Sequence, residues 1–256
     1  MMHPPLAVDS EQSSLLNSAY SVHLILNALL EQLLSPAQSE EEKVTATSFF
    51  CLLRYELEAE FQTYQGFFVL PEEILDFIEG ESFLEIGMGD GSNLYQLAQR
   101  KNPNSVVGID LSPAMVRLAR EKIPNHNSFF FAGDMLTFER NQLPQATFDT
   151  VILLNVLDRC AAPRQLLRLV GLLVKPAGQL IIGNCQFQYT KKLENGRELV
   201  YSPVAQRVRS VEEAAQIAGF NTIVHSFKNL PWQPKSAWAG KEDLRVDVVI
   251  ATRDGE

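Results

Sequence analysis

The sequence predicts an α/β fold with a parallel sheet behind a helical extension, and two observations lead to this class. After Gly80, short apolar segments of strand length alternate with segments that carry apolar residues at helical spacing, which is typical of βαβ units. Before Gly80, apolar residues recur every three or four positions and indicate helices. We therefore expect an N-terminal helical extension over residues 1–79 and an α/β domain over residues 80–256.

Three helices are expected in the N-terminal extension. Apolar periodicity predicts them over residues 11–34, 40–65 and 72–78. Pro36 ends the first of these segments, and Gly80 follows the last, because proline and glycine interrupt helices. The simplest role for this extension is packing against the domain that follows it.

Seven strands and four helices are expected in the α/β domain. The apolar runs predict strands near 82–86, 105–110, 128–132, 149–154, 179–184, 221–227 and 244–251. Helical spacing predicts helices near 92–100, 113–122, 163–173 and 211–218. The loop over 229–242 is too short for a helical crossover, so we expect the last two strands to be antiparallel. Asn195-Gly196 predicts a turn between two further short strands.

Composition narrows the classes of partner. The chain has 256 residues, 46% of them hydrophobic, which is enough for one sizeable domain with its own core. Its formal net charge of -9 repels phosphate groups, so we expect no nucleic-acid partner. No signal peptide is evident, and the most apolar early run, residues 22–30, is too short to cross a bilayer. We therefore expect a cytoplasmic protein that does not associate with membranes.

Cysteine and histidine usage predicts neither a disulfide framework nor a metal site. Cys51, Cys160 and Cys185 are far apart and form no Cys-x-x-Cys pair. The four histidines show no spacing typical of metal ligands.

A glycine-rich turn follows the first predicted strand of the domain. The run Gly87-Met88-Gly89-Asp90-Gly91 allows a close backbone approach to a ligand. Its glycines follow G-x-G-x-G instead of the G-x-G-x-x-G pattern that binds dinucleotides. Glu85 and Asp90 also place carboxylates at this turn, which favours a ligand carrying positive charge.

Two neighbouring strands also end in acids. Asp110 ends the second strand, about twenty residues after the glycine turn, where an acid can hold ribose hydroxyls. Asp134 follows the third strand. Three strands therefore place carboxylates at the edge where open α/β sheets bind ligands. Taken singly, the glycines could serve only the turn and Asp134 could serve only as a helix cap.

Taken together, four strand-end motifs resemble the class I S-adenosylmethionine-dependent methyltransferases. The motifs are E-I-G-M-G-D-G, G-I-D-L-S, A-G-D-M and F-D-T-V-I-L-L-N, at residues 85–91, 108–112, 132–135 and 148–155. The resemblance covers roughly residues 80–251. It implies a Rossmann-like seven-stranded methyltransferase sheet with an antiparallel last strand, and S-adenosyl-L-methionine as cofactor. The implied cofactor-binding residues are Glu85, Gly87, Gly89, Asp90, Gly91, Asp110, Leu111, Asp134, Met135 and Asn155. Among them, Asp110 is expected at the ribose, and Leu111, Asp134 and Met135 around the adenine.

The fourth strand ends in an unusual polar run, Leu154-Asn155-Val156-Leu157-Asp158-Arg159-Cys160. It resembles the L-N-L-L-D-R-C of the DREV family of protein-histidine N-pros-methyltransferases. Leu230-Pro231-Trp232 is similar to a Leu-Pro-Tyr near the end of that family. The resemblance implies that Asn155 and Asp158 are catalytic and touch the methyl acceptor. The chain lacks both the Asn/Asp-Pro-Pro-aromatic tetrapeptide of amino-methylating enzymes and the Pro-Cys nucleophile of pyrimidine C5 methylation.

The chemistry of imidazole methylation suits these two residues. The neutral ring attacks through an in-plane lone pair, so the site must orient the ring and select its tautomer. Asn155 can orient the ring, and Asp158 can accept from the N–H of the other ring nitrogen. A structural alternative is a local Asp158–Arg159 ion pair that caps the next helix, with Cys160 as a packing residue. Trp232 and Trp238 are candidates for the wall of the acceptor site.

Three functions are compatible with these motifs. The leading one is N-methylation of a histidine imidazole in a protein or peptide. The second is N- or O-methylation of a small molecule, such as an imidazole metabolite that resembles histidine. The third is non-catalytic binding of S-adenosylmethionine. Transfer of labelled methyl groups into protein and metabolite fractions separates the three.

Overall fold

A mixed β-sheet, with parallel and antiparallel strands, forms the centre of the molecule. The structure is a computed structural model, which describes residues 39, 42, 49, 52, 53, 56, 68–124, 127–137, 148–185, 190–192, 198–200, 206–232 and 244–253. The strands are β1 (Ser82–Ile86), β2 (Ser105–Asp110), β3 (Ser128–Ala132), β4 (Phe148–Leu154), β5 (Val174–Asn184), β6 (Thr190–Lys192), β7 (Glu198–Val200), β8 (Thr222–Trp232) and β9 (Leu244–Thr252). The helices are α1 (Glu72–Leu75), α2 (Ser92–Lys101), α3 (Pro113–Lys122), α4 (Pro163–Gly171) and α5 (Val211–Ile217).

Seven of these strands pair in the order β3-β2-β1-β4-β5-β9-β8. Strands β1 to β5 are parallel, and β9 is antiparallel to both of its neighbours, β5 and β8. The predicted fold class, with its antiparallel last strand, is therefore confirmed. The parallel strands end at one edge, so the residues that follow β1, β2, β3 and β4 meet there. Strands β6 and β7 form a separate antiparallel pair, as the Asn195-Gly196 turn predicts.

Two apolar cores cover the two faces of the sheet. Helices α1, α2 and α3 pack on one face, and α4 and α5 pack on the other. The central strands are buried on both faces, which explains their continuous apolar runs, such as Val151–Leu154 in β4. Ser112 and Ser210 cap α3 and α5 by accepting hydrogen bonds from backbone N–H groups in the first turn.

Two strands are longer than the sequence indicates, and each extension contains a proline. Strand β5 begins at Val174 instead of 179, and its register with β4 shifts between Phe148 and Thr150. Strand β8 continues to Trp232 instead of ending at 227, with a register shift between Phe227 and Leu230. Pro231 is tolerated because β8 is an edge strand. These irregular segments carry turn residues, so their sequence pattern is that of a loop.

The predicted N-terminal helix over 11–34 and Trp238 lie outside the described residues. Within the predicted helix over 40–65, the described residues 42, 49, 52, 53 and 56 are helical. Helix α1 is shorter than expected, with four residues. Phe68, Leu70 and Ile74 are buried in the same core as α2 and α3. The domain boundary at residue 80 remains a prediction. Across the described ranges, no helix is both long and apolar enough to span a membrane.

Candidate active site

A cavity of about 370 Å³ lies where β1, β2, β3 and β4 end. Residues in the last positions of these four strands, or just after them, form most of its wall, as expected for a ligand site at the carboxyl edge of an open sheet. Other parts of the chain contribute Leu52, Phe68, Asn93, Met115, Arg159, Cys160, Ala161, Leu166 and Trp232. Seven of the predicted site residues line it: Glu85, Gly87, Asp110, Leu111, Asp134, Met135 and Asn155.

Gly87 begins the turn after β1 and combines two requirements for glycine. Its φ of 69° lies in the left-handed region, where a Cβ is unfavourable. A Cβ at this position would also lie 2.4 Å from Cγ2 of Val156. Backbone atoms of Gly87 therefore form the cavity wall here, and a ligand can approach these atoms closely.

Glu85 is a buried acid with an incomplete set of partners. Its Oε1 accepts a hydrogen bond of 2.9 Å from Nδ2 of Asn93. Its Oε2 has no partner within the part of the chain that the structure describes. Burial raises the pKa of Glu85 to about 8, against the lowering effect of Asn93, and the negative charges of Asp90 and Asp110 add to the rise. A cationic group in the cavity would stabilise the ionised form.

Asn93 fixes the position of Glu85 and ties the site to the segment before α1. Its Oδ1 accepts from the backbone N–H of Leu70 at 2.9 Å, and its Nδ2 also donates to the carbonyl of Phe68. Asn93 is not among the site residues predicted from the sequence, because no local pattern connects a residue in the first turn of a helix with partners more than twenty positions earlier.

Asp110 is held by the backbone on both sides. Its Oδ2 accepts from the N–H of Gly89, and its Oδ1 accepts from the N–H of Ser112, each at 2.9 Å. A carboxylate has further lone pairs, so it can still accept from hydroxyl groups in the cavity. Burial raises the pKa of Asp110, and these backbone hydrogen bonds act against the rise. Next to it, Leu111 presents an exposed apolar side chain to the cavity.

Asp134 and Met135 form the cavity wall after β3. Oδ1 of Asp134 accepts from the N–H of Leu136 at 2.9 Å, so this side chain also stabilises a turn. Met135 is buried and belongs to the core on the α4 face. Asp134 therefore lies in the cavity wall and stabilises a turn, whereas the structural alternative taken from the sequence was a helix cap.

Gly89, Asp90 and Gly91 do not belong to the cavity wall. Asp90 accepts from the N–H and Oγ of Ser92 and pairs with Lys122 of α3. A Cβ on Gly91 would lie 3.0 Å from the Cβ of Ala119 in α3. Asp90 thus connects α2 with α3, a contact between residues that are 32 positions apart and that spacing alone does not reveal.

Asn155 follows β4 in the left-handed region, with a φ of 52°. Its Oδ1 accepts from the N–H of Cys185 at 2.9 Å, and this backbone donor fixes which end of the carboxamide is oxygen. Its Nδ2 is buried and without a hydrogen-bond partner among the described residues. Asn155 therefore lines the cavity and has a buried donor that no described residue uses.

Asp158 lies in a short 3₁₀ helix, Leu157–Arg159, and is buried outside the cavity wall. Burial raises the pKa of Asp158 to about 7, although the side chain of Asn184 donates a hydrogen bond to it. Nε of Arg159, whose side chain does line the cavity, is 3.7 Å from Oδ2 of Asp158. The ion pair that the sequence suggested is present, but it does not cap the next helix, α4, whose N-cap residue is Ala162 and which has no side-chain cap.

The remaining wall is largely apolar. Trp232 lines the cavity and packs edge-to-face on Phe68, with ring centroids 6.3 Å apart. Burial raises the pKa of the Cys160 thiol to about 12, so this thiol stays protonated and is no nucleophile at neutral pH. Within the described ranges, no group of three acids, histidines or cysteines is placed to hold a metal ion.

Comparison with known proteins identifies the fold and family. The model of the methyltransferase domain family matches residues 78–243. The uncharacterized methyltransferase YdaC of Bacillus subtilis is 28% identical over 162 residues, which cover 61% of this chain and 80% of YdaC. The malonyl-[acyl-carrier protein] O-methyltransferase of a Marinomonas species is 28% identical over 131 residues, covering 50% of this chain and 46% of that protein.

An S-adenosylmethionine-dependent methyltransferase of Methanosarcina mazei has a similar structure. Its TM-score is 0.55 at 15% sequence identity, and the match covers 74% of this chain and all of that one. The chain spans less than half the length of most of the curated relatives that it matches.

Proposed function

The chain belongs to the methyltransferase domain family, and on that premise we propose that it transfers the methyl group of S-adenosylmethionine to a histidine imidazole nitrogen in a protein or peptide. The fold and the family make it an S-adenosylmethionine-dependent methyltransferase. The acceptor, the role of each site residue and a cytoplasmic location are the proposed parts.

The acceptors and the apolar surface of the cavity support the proposed binding of this cofactor. The free Oε2 of Glu85 suits the ammonium group of the methionine moiety, and the backbone at Gly87 leaves room beside it. Asp110 is positioned to accept from ribose hydroxyls, while Leu111 and Met135 provide apolar surface for the adenine. When bound, the cofactor supplies an electrophilic methyl group.

The observation that carries the histidine proposal is the polar cluster where β4 and β5 end. Asn155, Asp158 and Asn184 are concentrated there, at the end of strands that are otherwise apolar and buried. Burying such groups is costly unless they are hydrogen-bonded, and Nδ2 of Asn155 and Oδ1 of Asp158 have no partner among the described residues. The cluster lies within the run of residues that resembles the DREV motif.

Asn155 would contact the acceptor as a hydrogen-bond donor. Its oxygen is occupied by Cys185, so the free Nδ2 suits a carbonyl oxygen of the acceptor peptide better than a ring N–H. By holding the peptide, Asn155 would align the ring for in-line attack. Alignment of this kind lowers barriers by several kcal/mol, roughly 7–11 at most.

Asp158 would act through charge, without touching the ring. The sequence predicts that Asp158 accepts from the ring N–H, but the position of Asp158 outside the cavity wall favours a positioning role. In the reaction, the ring nitrogen would take the methyl group as the C–S bond breaks, S-adenosylhomocysteine would leave, and positive charge would develop on the imidazole. An ionised Asp158, supported by Asn184, would stabilise that charge until the ring N–H proton passes to solvent.

A small-molecule acceptor is the second candidate. The named activities of the relatives include O-methylation of a malonyl-[acyl-carrier protein] and methylation of demethylmenaquinone. The apolar wall around Trp232 and Phe68 would also accommodate such an acceptor. Under this alternative, Asn155 would donate to a polar group of the small molecule.

Labelled methyl transfer tests both candidates. Wild-type protein is incubated with tritiated S-adenosylmethionine and either histidine-containing peptides or small imidazoles, alongside cell lysate split into protein and metabolite fractions. Label on peptide histidine supports the proposal. Label confined to metabolites supports the second candidate, and cofactor binding without transfer supports a non-catalytic protein.

Two conservative variants test the roles of the residues. Asn155→Asp keeps the acceptor for Cys185 but removes the free donor. Asp158→Asn removes the charge, and Asp76→Asn, at an exposed position, is its control. We expect turnover in Asp158→Asn to fall by a factor on the order of 10², while cofactor affinity is retained. Wild-type turnover in this variant, or a parallel collapse of cofactor affinity, would make Asp158 structural.

A further inference from the structure

A segment far upstream of the sheet contributes to the wall of the cofactor cavity. Leu52, in the helical region before the α/β domain, lines the cavity together with Leu111 and Ser112. One turn later, Oε1 of Glu56 accepts hydrogen bonds from Oγ of Ser112 and, at 3.2 Å, from the N–H of Ala114. We propose that Glu56 is a positioning residue of the cofactor site: by binding Ser112, the neighbour of the ribose acid Asp110, it holds Leu52 where this side chain covers the bound cofactor. This inference rests on the cofactor site assigned above.

Ser112 is the link between Glu56 and Asp110. It is fully buried; its N–H donates to Oδ1 of Asp110, and its Oγ accepts from the N–H of Met115. The Oγ proton is therefore available for Glu56, which completes a chain of hydrogen bonds from the upstream segment to the ribose acid. A change at Glu56 consequently reaches Asp110 through one residue.

The negative charge of Glu56 lies at the N-terminal end of α3. Its carboxylate accepts from N–H and hydroxyl groups at the start of this ten-residue helix. The first N–H groups of a helix have no carbonyl partner within the helix, so they are available to such an acceptor. The helix dipole also favours a negative charge at this end. The same charge lies near Asp110 and adds to the rise in its pKa. Hydroxyl donors brought by a ligand to Asp110 would relieve that repulsion.

Docking of the segment and cofactor binding are then coupled. If the docked segment raises cofactor affinity by some factor, the cofactor must favour docking by the same factor. A plain helix cap makes a different prediction, because its loss would lower stability and leave cofactor affinity unchanged. The two readings therefore differ in a measurable quantity.

The test uses the full chain and S-adenosylhomocysteine as the probe. The variants are Glu56→Ala, Glu56→Gln and Leu52→Ala, with Glu72→Ala as control, because Glu72 is an exposed partner of Arg100 away from the cavity. Affinity is measured by calorimetry and dissociation by stopped flow, with thermal unfolding in parallel. We expect Glu56→Ala to bind about tenfold more weakly or worse, and to release the ligand faster. Glu56→Gln, which retains an acceptor, should lie between it and wild type.

Two further readouts separate positioning from stability. In steady-state assays, the effect of Glu56→Ala should fall more on KM for S-adenosylmethionine than on kcat. Trypsin cleavage after Arg54, between Leu52 and Glu56 in sequence, should slow when S-adenosylhomocysteine is added to wild type but not to Glu56→Ala. Wild-type affinity and release rate in Glu56→Ala, with only a lower Tm, would overturn the inference. Failure of wild type itself to bind the probe would instead overturn the cofactor site.

Discussion

Glu85→Gln should separate the contribution of this acid to cofactor affinity from the loss of stability that its burial causes. Glutamine has the same shape and can still accept from Asn93 through its carbonyl oxygen. It carries no charge, so it lacks both the buried carboxylate and the partner for a ligand ammonium. We expect this variant to bind S-adenosylmethionine more weakly and yet to be more stable than wild type in alkaline solution.

The size of the stability effect follows from the raised pKa. The folded protein raises the pKa of Glu85 from 4.5 to about 8. The folded state therefore binds more protons than the unfolded state between these values, and stability falls as pH rises through this window. At ~1.4 kcal/mol per pKa unit, the upper limit of the loss is about 5 kcal/mol. Glu85→Gln should remove this loss, so that its advantage over wild type grows towards pH 8 and vanishes below pH 4.5.

Cofactor affinity should show the opposite trend in wild type. Below pH 8 most Glu85 is protonated in the free protein and must lose its proton to pair with an ammonium group. Affinity should therefore rise by up to about tenfold per pH unit between pH 6 and 7.5, with release of a proton. In Glu85→Gln the affinity should be nearly independent of pH and about 10- to 150-fold weaker at pH 7.5, because a charge-assisted hydrogen bond is lost.

Calorimetry in two buffers of different ionisation enthalpy measures both the affinity and the proton released. Urea unfolding from pH 5 to 9 measures stability, with Glu72→Gln as the exposed control. If wild type binds with equal affinity at pH 6 and 7.5 and releases no proton, Glu85 does not contact the ammonium. If Glu85→Gln is no more stable at pH 8.5, the buried carboxylate has another partner.

Two further substitutions test the walls of the cavity. Asp110→Ala should weaken cofactor binding by about 10- to 150-fold through loss of a charged acceptor, and unchanged affinity by calorimetry would sink its assignment to the ribose. Gly87→Ala should be far more destabilising in urea unfolding than Gly219→Ala, although both glycines have positive φ, because only the new Cβ at Gly87 would clash, at 2.4 Å from Val156. Equal losses for the two glycine variants would show that strain, and not close packing, sets the requirement at Gly87.

The first three strands show how much of the fold a local pattern predicts. The bounds of β1, β2 and β3 agree with the apolar runs, because each run is mainly apolar and ends at an acid or directly before a glycine. β5 and β8 differ, since prolines and positive-φ residues, such as Ala177 and Asn229, occur inside them. Such residues fit a strand only where the sheet supplies a bulge or a free edge, and neither is visible in the local sequence.

The residues of the candidate site likewise divide into those that a local sequence pattern predicts and those that it does not. Glu85, Asp110 and Asp134 are predictable, because each is attached to the end of a strand and the fold brings strand ends together. Asp90 belongs to the same glycine turn, but its side chain pairs with Lys122 in another helix. Asn93 and Glu56 act at the site from outside the strand-end motifs. Their contacts depend on how helices pack, which residue spacing does not specify.

The buried acids at this sheet edge lower the stability of the fold, and a ligand that pairs with them can offset that cost. Glu85 and Asp158 both have raised pKa values because burial penalises their charge, and Asp110 shares its surroundings with Glu56. The apolar central strands supply the stability that tolerates these groups. In the proposed function, a cationic, hydroxyl-bearing ligand compensates Glu85 and Asp110 at once, while Asp158 faces charge only when the acceptor is methylated. In this proposal, cofactor binding depends on Glu85 and Asp110, whereas turnover depends on Asp158 at the same sheet edge. Variants of Glu85 and Asp158 should therefore separate affinity from rate.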